Sequence, residues 1–371
     1  MKKIAFGSTL LNRGLSGSGI DGIGQYCQEL LAQYAIDNQG FEILPFAFEE
    51  KPQIPKEKVF SSYTTHAIKC LLHLNTADSH FFQNTSLIHA TDQLIPIVKN
   101  VPILATVMDV IPLSKPEFLK PSSRLIKPLI WKTLTRRANH ICTISEFSKQ
   151  EIIEYLNYPG DAISVIPLGV DSRFFEPISN DTRKSVLNKF NIPSNFILTI
   201  GSIQPRKNLA RLIAAHANLP SSIKNDIPLV IVGRFWWDDA ELMHQIQKGV
   251  EDGRCIWINY VNDFEKRCLL QSAQALAFTS LFEGFGLPIL EAYASKLPVI
   301  TSTSSSMPEV ANGSSILVDP TNIEEINEAL KKMLQTDKGG NPLVASGFAH
   351  AKSLSWEATA KKTIALYKKL T

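Results

Sequence analysis

The densest chemistry in the sequence lies between Ala275 and Glu291, in the run ALAFTSLFEGFGLPILE. An apolar stretch of strand length passes into a glycine-rich turn. A helical pattern follows, with Pro288 suited to its first turn. The backbone N–H groups at such a turn lack intrahelical acceptors and the helix dipole stands behind them, so the turn is an anion site. Gly284 and Gly286 let a phosphate approach the backbone closely. Glu283 lies in the loop, and Glu291 lies about one turn inside the helix, eight residues on. A loop acid beside an anion site is placed to accept hydrogen bonds from hydroxyl groups, and the second acid can hold another set. The competing reading makes Glu283 a solvated loop residue and Glu291 a surface helix residue.

A second loop has the complementary charge. Gly201-Ser-Ile-Gln-Pro-Arg206-Lys207-Asn208 follows one apolar run and precedes a helix. Two adjacent cations there suit a diphosphate, and arginine can bind it through two parallel hydrogen bonds. A solvated basic turn is the plainer meaning of an Arg-Lys pair. The position at a strand's carboxyl end favours binding.

Short apolar runs alternate with helical patterns along most of the chain. Strands are expected at Lys3–Phe6, Phe41–Phe46, Ser86–His89, Ile103–Val107, His140–Ile144 and Ser164–Pro167. A helix is expected over Ile23–Asp37. After a break the pattern resumes with strands at Phe196–Gly201, Leu229–Gly233, Cys255–Asn259, Ala275–Thr279, Val299–Thr301 and Ser315–Val318. Strand–helix alternation implies mostly parallel sheets. The fold class is therefore α/β, with two Rossmann-like domains facing across a cleft where ligand is expected. The boundaries read as residues 1–171 for the first domain, 172–195 for a linker and 196–350 for the second domain. A final amphipathic helix in 351–371, anchored by Trp356, Ile364 and Tyr367, is expected to cross back to the first domain.

Composition sets the outer limits. The chain has 371 residues, 44% of them apolar and 20% charged, which fits a packed protein and argues against disorder. Net charge is +3, too mild for nucleic-acid binding to be the default reading. The cysteines are Cys27, Cys70, Cys142, Cys255 and Cys268, without a C-x-x-C pair, which points to a reducing, cytoplasmic compartment. The first residues, MKKIAFGSTLLNRG, read as a strand and not as a leader. No run of 18 apolar residues is present. His66, His73 and His80 recur every seven residues and read as surface or packing residues.

Taken together, the two loops resemble glycosyltransferase family 4, retaining enzymes of GT-B fold. The Glu283-x7-Glu291 pair in EGFGLPILEA is similar to that family's E-x7-E signature, and GSIQPRKNLARLI is similar to its donor loop. GIGQY (22–26), ICTISEFSKQEI (141–152), VIPLGVD (165–171), SSMPEV (305–310) and LSWEATAKKTIALY (354–367) also resemble the family, in order. The resemblance covers essentially the whole chain and points toward bacterial mannosyltransferases of surface-polysaccharide synthesis.

The resemblance implies a nucleotide-sugar donor, with a glycan acceptor in the first domain. Arg206 and Lys207 would neutralise the diphosphate beside Gly201, and Glu291 would hold the ribose. Glu283 would orient the sugar, with Phe285, Gly286 and Leu287 against sugar and phosphate. Gly22 and Gly24 would approach the diphosphate from the first domain. No metal or other cofactor is implied, and no spaced His/Asp cluster reads as a metal site. The implied mechanism is front-face substitution with retention. Asp109 and Asp21 remain candidates for a carboxylate near the anomeric carbon.

Two departures stand out. Many family members carry a His-Asp pair where this chain has Met108-Asp109, and methionine donates no hydrogen bond. His89 or Asp109 could replace the histidine, or sugar preference could differ. Ser202 stands where some members have another arginine. Separately, the stretch 115–137 is basic and interleaved with Leu, Ile and Trp. Lys127, Trp131, Lys132 and Arg136 suit an anionic membrane surface or acceptor, while a helix packed on its sheet is the alternative. Donors other than GDP-mannose, such as a UDP-sugar or dTDP-rhamnose, stay open. A dehydrogenase reading rests on Gly17-x-Gly19-x-x-Gly22 with Glu42 beyond it, but the glycines begin too far after the first strand.

Overall fold

A computed structural model describes residues 1–60, 65, 79–92, 94–119, 123–235, 239–336 and 340–371, the side chains of Ser18, Ser79, Ile126 and Lys127 excepted. His66, His73 and Cys70 lie outside the described residues, whereas His80 is exposed. The chain forms two compact units, Met1–Gly169 with Trp356–Thr371, and Val170–Ser355.

In the first unit, the described strands are β1 (Lys2–Gly7), β2 (Phe41–Ala47), β3 (Lys58–Val59), β4 (Leu87–Ala90), β5 (Ile103–Thr106), β6 (His140–Thr143) and β7 (Ile163–Val165). They pair in parallel in the order β3-β2-β1-β4-β5-β6-β7. β4 and β5 are buried at every position, as a strand covered on both faces must be. The two-residue strand β3 had no apolar run to announce it.

Helix α1 (Gly22–Ile36) is capped by Asp21, whose Oδ1 accepts from the Gly24 N–H at 2.7 Å. The last helix of the chain, Trp356–Leu370, belongs to this unit. Its Tyr367 is buried and reaches Tyr34 of α1 at 3.1 Å and His89 of β4 at 2.6 Å.

The second unit holds β8 (Ile197–Ile200), β9 (Leu229–Val232), β10 (Cys255–Ile258), β11 (Ala275–Phe278), β12 (Val299–Ser302) and β13 (Ile316–Val318). All pairings are parallel, in the order β10-β9-β8-β11-β12-β13. Order reverses between β8 and β11, and in open α/β sheets ligands bind outside the carboxyl ends at such a point. The loops after β8 and β11 are the two singled out by their chemistry.

Residues 172–195, expected to be a linker, are folded into the second unit. A 3-10 turn at Ser172–Phe175 and helix α2 (Asn180–Lys189) fasten to helix α3 (Asp263–Ser272) through polar side chains. Arg267 meets Glu176 at 3.1 Å, Arg183 donates to the Gln271 carbonyl at 2.7 Å, and Lys189 lies 2.5 Å from Glu265. In α2 the buried residues are Val186 and Leu187 alone, so no apolar stripe marked it as packed.

Candidate active site

The site of the second unit is built from five strand ends. Gly201 closes β8 with φ +147°, where Lys207 Cε would lie 3.3 Å from any Cβ. Gly233, just past β9, is tighter still: a Cβ there would fall 1.9 Å from the Gly201 carbonyl oxygen. Gly233 stands in none of the motifs that mark the site in the sequence. Its signal was a glycine ending a buried strand, which marks close backbone approach.

Pro205–Lys207 forms one 3-10 turn, ended by Asn208 in the left-handed region at φ 59°. The buried Asn208 amide donates to the Thr279 carbonyl at 3.0 Å and to the Pro320 carbonyl at 2.6 Å, tying the loops after β11 and β13 to the cation loop. The Leu281 N–H donates to the Arg206 carbonyl at 2.7 Å. The two cations are thus fixed against the β11 loop by main-chain bonds as well as by charge.

Glu283 is buried between them. Its Oε2 accepts from Arg206 Nη1 at 2.5 Å, and its Oε1 lies 2.5 Å from Lys207 Nζ. The flanking cations overcome burial and hold the Glu283 carboxyl down at about 2, so it stays ionised above that pH. Burial pushes the Lys207 ammonium down, and the Phe278 ring sits 4.8 Å beneath its Nζ. Two cations and one anion leave the triad at net +1, facing the carboxyl edge of the sheet.

The Glu283 backbone is clamped from β12. Its N–H donates to Ser305 Oγ at 3.0 Å. The fully buried Ser306 hydroxyl lies 2.9 and 2.7 Å from the carbonyls of Glu283 and Phe285. These serines belong to the SSMPEV run, whose residue types alone assign them no role. Gly286, at φ 119°, caps helix α4 (Leu287–Ala294) and sends Leu287 and Pro288 into its first turn. Glu291 projects from the second turn of α4. It is buried and pairs with Lys266 of α3 at 2.6 Å, so it is not the surface residue of the competing reading.

The structure thus brings Gly201, Arg206, Lys207, Glu283, Gly284, Phe285, Gly286, Leu287 and Glu291 onto the carboxyl edge of one sheet. Gly22, Gly24 and Asp109 lie in the first unit. Gly24's N–H is taken by Asp21, whereas space beside Gly22 is open. Asp109 follows β5, and its Oδ1 accepts from the Ile111 N–H at 3.1 Å.

His89 does not replace the missing histidine at Met108. It is fully buried, with Nδ1 2.6 Å from Tyr367 Oη and Nε2 2.7 Å from Thr106 Oγ1. Burial presses it down to about 3, so it is a neutral packing residue. The Gly17-x-Gly19-x-x-Gly22 run makes no dinucleotide turn, because the helix Thr9–Arg13 separates it from β1.

The basic stretch divides. Trp131 packs half-buried on the core of the first unit beside Ile130 and buried Leu134, which corrects its expected surface role. Leu125 is 87% and Leu129 61% exposed, and Lys132 and Arg136 are exposed on the same helical face. The backbone of Lys127 lies in that helix, Ile126–Thr135. Among the described residues no helix is long and apolar enough to cross a membrane, and no three His, Cys, Asp or Glu side chains gather as a metal site.

The two sheets and the clamped acid at a strand-order reversal define a GT-B architecture. A family profile described as glycosyltransferase family 4 matches residues 20–174, and one described as glycosyl transferases group 1 matches 182–344. Each profile covers less than half of the chain and together they span most of it, so the chain is similar to glycosyltransferase family 4 in its first part and to the group 1 glycosyl transferases in its second. The O-antigen chain mannosyltransferase B of Escherichia coli is 33% identical over 234 residues, covering 63% of this chain and 61% of that protein. The serotype-specific mannosyltransferase WbdA of E. coli is 29% identical over 231 residues, 62% of this chain and 28% of WbdA. The chain therefore spans less than two thirds of either relative. The sucrose-phosphate synthase of Thermosynechococcus elongatus superposes with a TM-score of 0.75 at 19% identity, over 100% of this chain and 99% of that one.

Proposed function

We propose that the protein is a retaining glycosyltransferase that moves mannose from GDP-mannose to a glycan acceptor in bacterial surface-polysaccharide synthesis. The observation that carries this reading is the Arg206–Lys207–Glu283 triad beside the amino end of α4. The mannosyltransferase relatives support the choice of sugar.

A diphosphate leaving group gains negative charge as the bond to the sugar breaks. The net +1 triad and the amides of Phe285, Gly286 and Leu287 are fixed before the reaction, so they stabilise that charge without reorganising. Glu283, ionised and held by both cations, accepts hydrogen bonds from sugar hydroxyls and so sets the sugar's orientation. The bond from the anomeric carbon to the phosphate oxygen breaks. A bond to the acceptor oxygen forms on the same face, and the acceptor's proton passes to the departing phosphate oxygen. This assigns the charge-stabilising role to Arg206, Lys207 and the amides and requires no metal.

The acceptor is a lipid-linked glycan held by the first unit at the cytoplasmic face of the membrane. Exposed Leu125 and Leu129 beside Lys132 and Arg136 support this, since such a face suits an anionic lipid interface.

Thermal shift with GDP-mannose, UDP-glucose, dTDP-rhamnose and NAD side by side tests the reading. The largest stabilisation is expected with GDP-mannose. Stabilisation by NAD alone would remove the reading.

A further inference from the structure

Lys266 takes no part in the chemistry described above, yet its ammonium pairs with the carboxylate of Glu291. Its Nζ lies 2.6 Å from Oε1, with the two side chains 18% and 4% exposed. The same Nζ stands 5.1 Å from the centre of the Phe174 ring, itself buried in the turn that opens the second unit. An ammonium between a carboxylate and an aromatic face is restrained on both sides.

Glu291 leaves α4 among buried neighbours from Ile289 to Ala294, and the half-buried Lys266 leaves α3 between buried Glu265 and Arg267. A carboxylate so enclosed has one oxygen committed to Lys266 and one remaining for a ligand. Two oxygens on one acid, with one fixed in place, make a directional acceptor.

We propose that Lys266 is a positioning residue for nucleotide recognition. It holds Glu291 Oε1, so that Oε2 is presented to a ribose hydroxyl of the donor's nucleoside diphosphate, and Phe174 steadies the ammonium from behind. This rests on the reading of Glu291 as the ribose-binding acid. It adds that sensitivity to the ribose hydroxyls depends on a residue that does not touch the ribose.

The readout is discrimination between GDP and its 2′-deoxy and 3′-deoxy analogues, measured by calorimetry on the full chain, with the UDP series in parallel. A hydrogen bond to a charged group corresponds to roughly tenfold in affinity or more. Wild type is expected to bind one deoxy analogue about tenfold more weakly than the ribonucleotide. Lys266→Met is expected to cut that ratio to about twofold or less, and Phe174→Leu is expected to give an intermediate ratio. Lys266→Gln is the second variant if Lys266→Met melts far below wild type.

Glu291→Ala separates the two possible failures. If Glu291→Ala keeps full discrimination, or wild type binds no diphosphate, the reading of the ribose acid falls and this proposal with it. If Glu291→Ala loses discrimination while Lys266→Met or Lys266→Gln keeps it, only this proposal is overturned. A fall in melting temperature in both Lys266 variants with discrimination intact likewise overturns it and makes Lys266 a structural lysine.

Discussion

Arg206 Nη1 lies 2.5 Å from Glu283 Oε2 although the two residues are 77 apart in the chain. The contact joins the loop after β8 to the loop after β11 at the point where strand order reverses. Lys207 completes it from the other side. The arrangement means that the site's acid and its cations are interdependent.

Lys207→Ala and Glu283→Gln are each expected to lower kcat for sugar transfer about 100- to 1,000-fold, the usual loss for one preorganised charge-stabilising group. Either neutral replacement leaves two buried cations without their anion, at a cost of about 3 kcal/mol or more. Glu283→Gln is preferred to alanine because its amide oxygen still accepts from one of them and its volume fills the site. Steady-state kinetics with circular dichroism on each variant checks both points. Near-normal turnover in either variant would contradict the assignment.

Gly233→Ala is expected to destabilise the second unit by about 3 kcal/mol or more, because the new methyl would meet the Gly201 carbonyl and not a movable side chain. Gly22→Ala, where space is open, is expected to change stability little. Urea denaturation of both variants measures the contrast. Equal midpoints would show that the Gly201–Gly233 approach is looser than described.

His89 should make the first unit sensitive to acid. Its folded value of about 3 is depressed below the ordinary 6.5, so below about pH 6.5 the unfolded chain binds a proton that the folded chain refuses. Stability from this group is full above 6.5 and falls as pH drops toward 3, by about 2 kcal/mol at pH 5. His89→Gln is expected to be less stable than wild type at pH 7.5, with the gap narrowing by that amount at pH 5. A constant gap across that range would contradict the buried, neutral histidine.

Binding to anionic vesicles should depend on the exposed face of the helix Ile126–Thr135. Lys132→Gln with Arg136→Gln is expected to weaken co-sedimentation with phosphatidylglycerol vesicles about 30-fold, at roughly 1 kcal/mol for each basic residue. Leu125→Ser with Leu129→Ser should weaken it further, and Trp131→Phe should leave it unchanged, since Trp131 packs inward. Equal binding by wild type and the charge variant would exclude this face as the contact.

Much of this was legible because the site's parts are local. Glu283, Glu291, Arg206 and Lys207 each stand in a short strand–loop–helix segment with its own composition, and alternation of runs announced both sheets. What escaped depends on contacts far apart in sequence. Ser306 reaches Glu283 across 23 residues, and Lys266 reaches Glu291 across 25. Residues 172–195 looked like a linker because they attach through Glu176, Arg183 and Lys189 and not through an apolar stripe. His89 looked available because nothing near it in sequence shows that Tyr367 will close over it. Trp131 looked like a membrane anchor because a half-buried tryptophan and an interfacial one share the same helical neighbours.

The most direct measurement is donor consumption by the purified protein across GDP-mannose, UDP-glucose and dTDP-rhamnose, with the anomeric configuration of the product read by NMR. Turnover of GDP-mannose with retained configuration, lost in Lys207→Ala, is the predicted result. Turnover of no nucleotide-sugar, inversion at the anomeric carbon, or turnover that survives in Lys207→Ala would contradict the account.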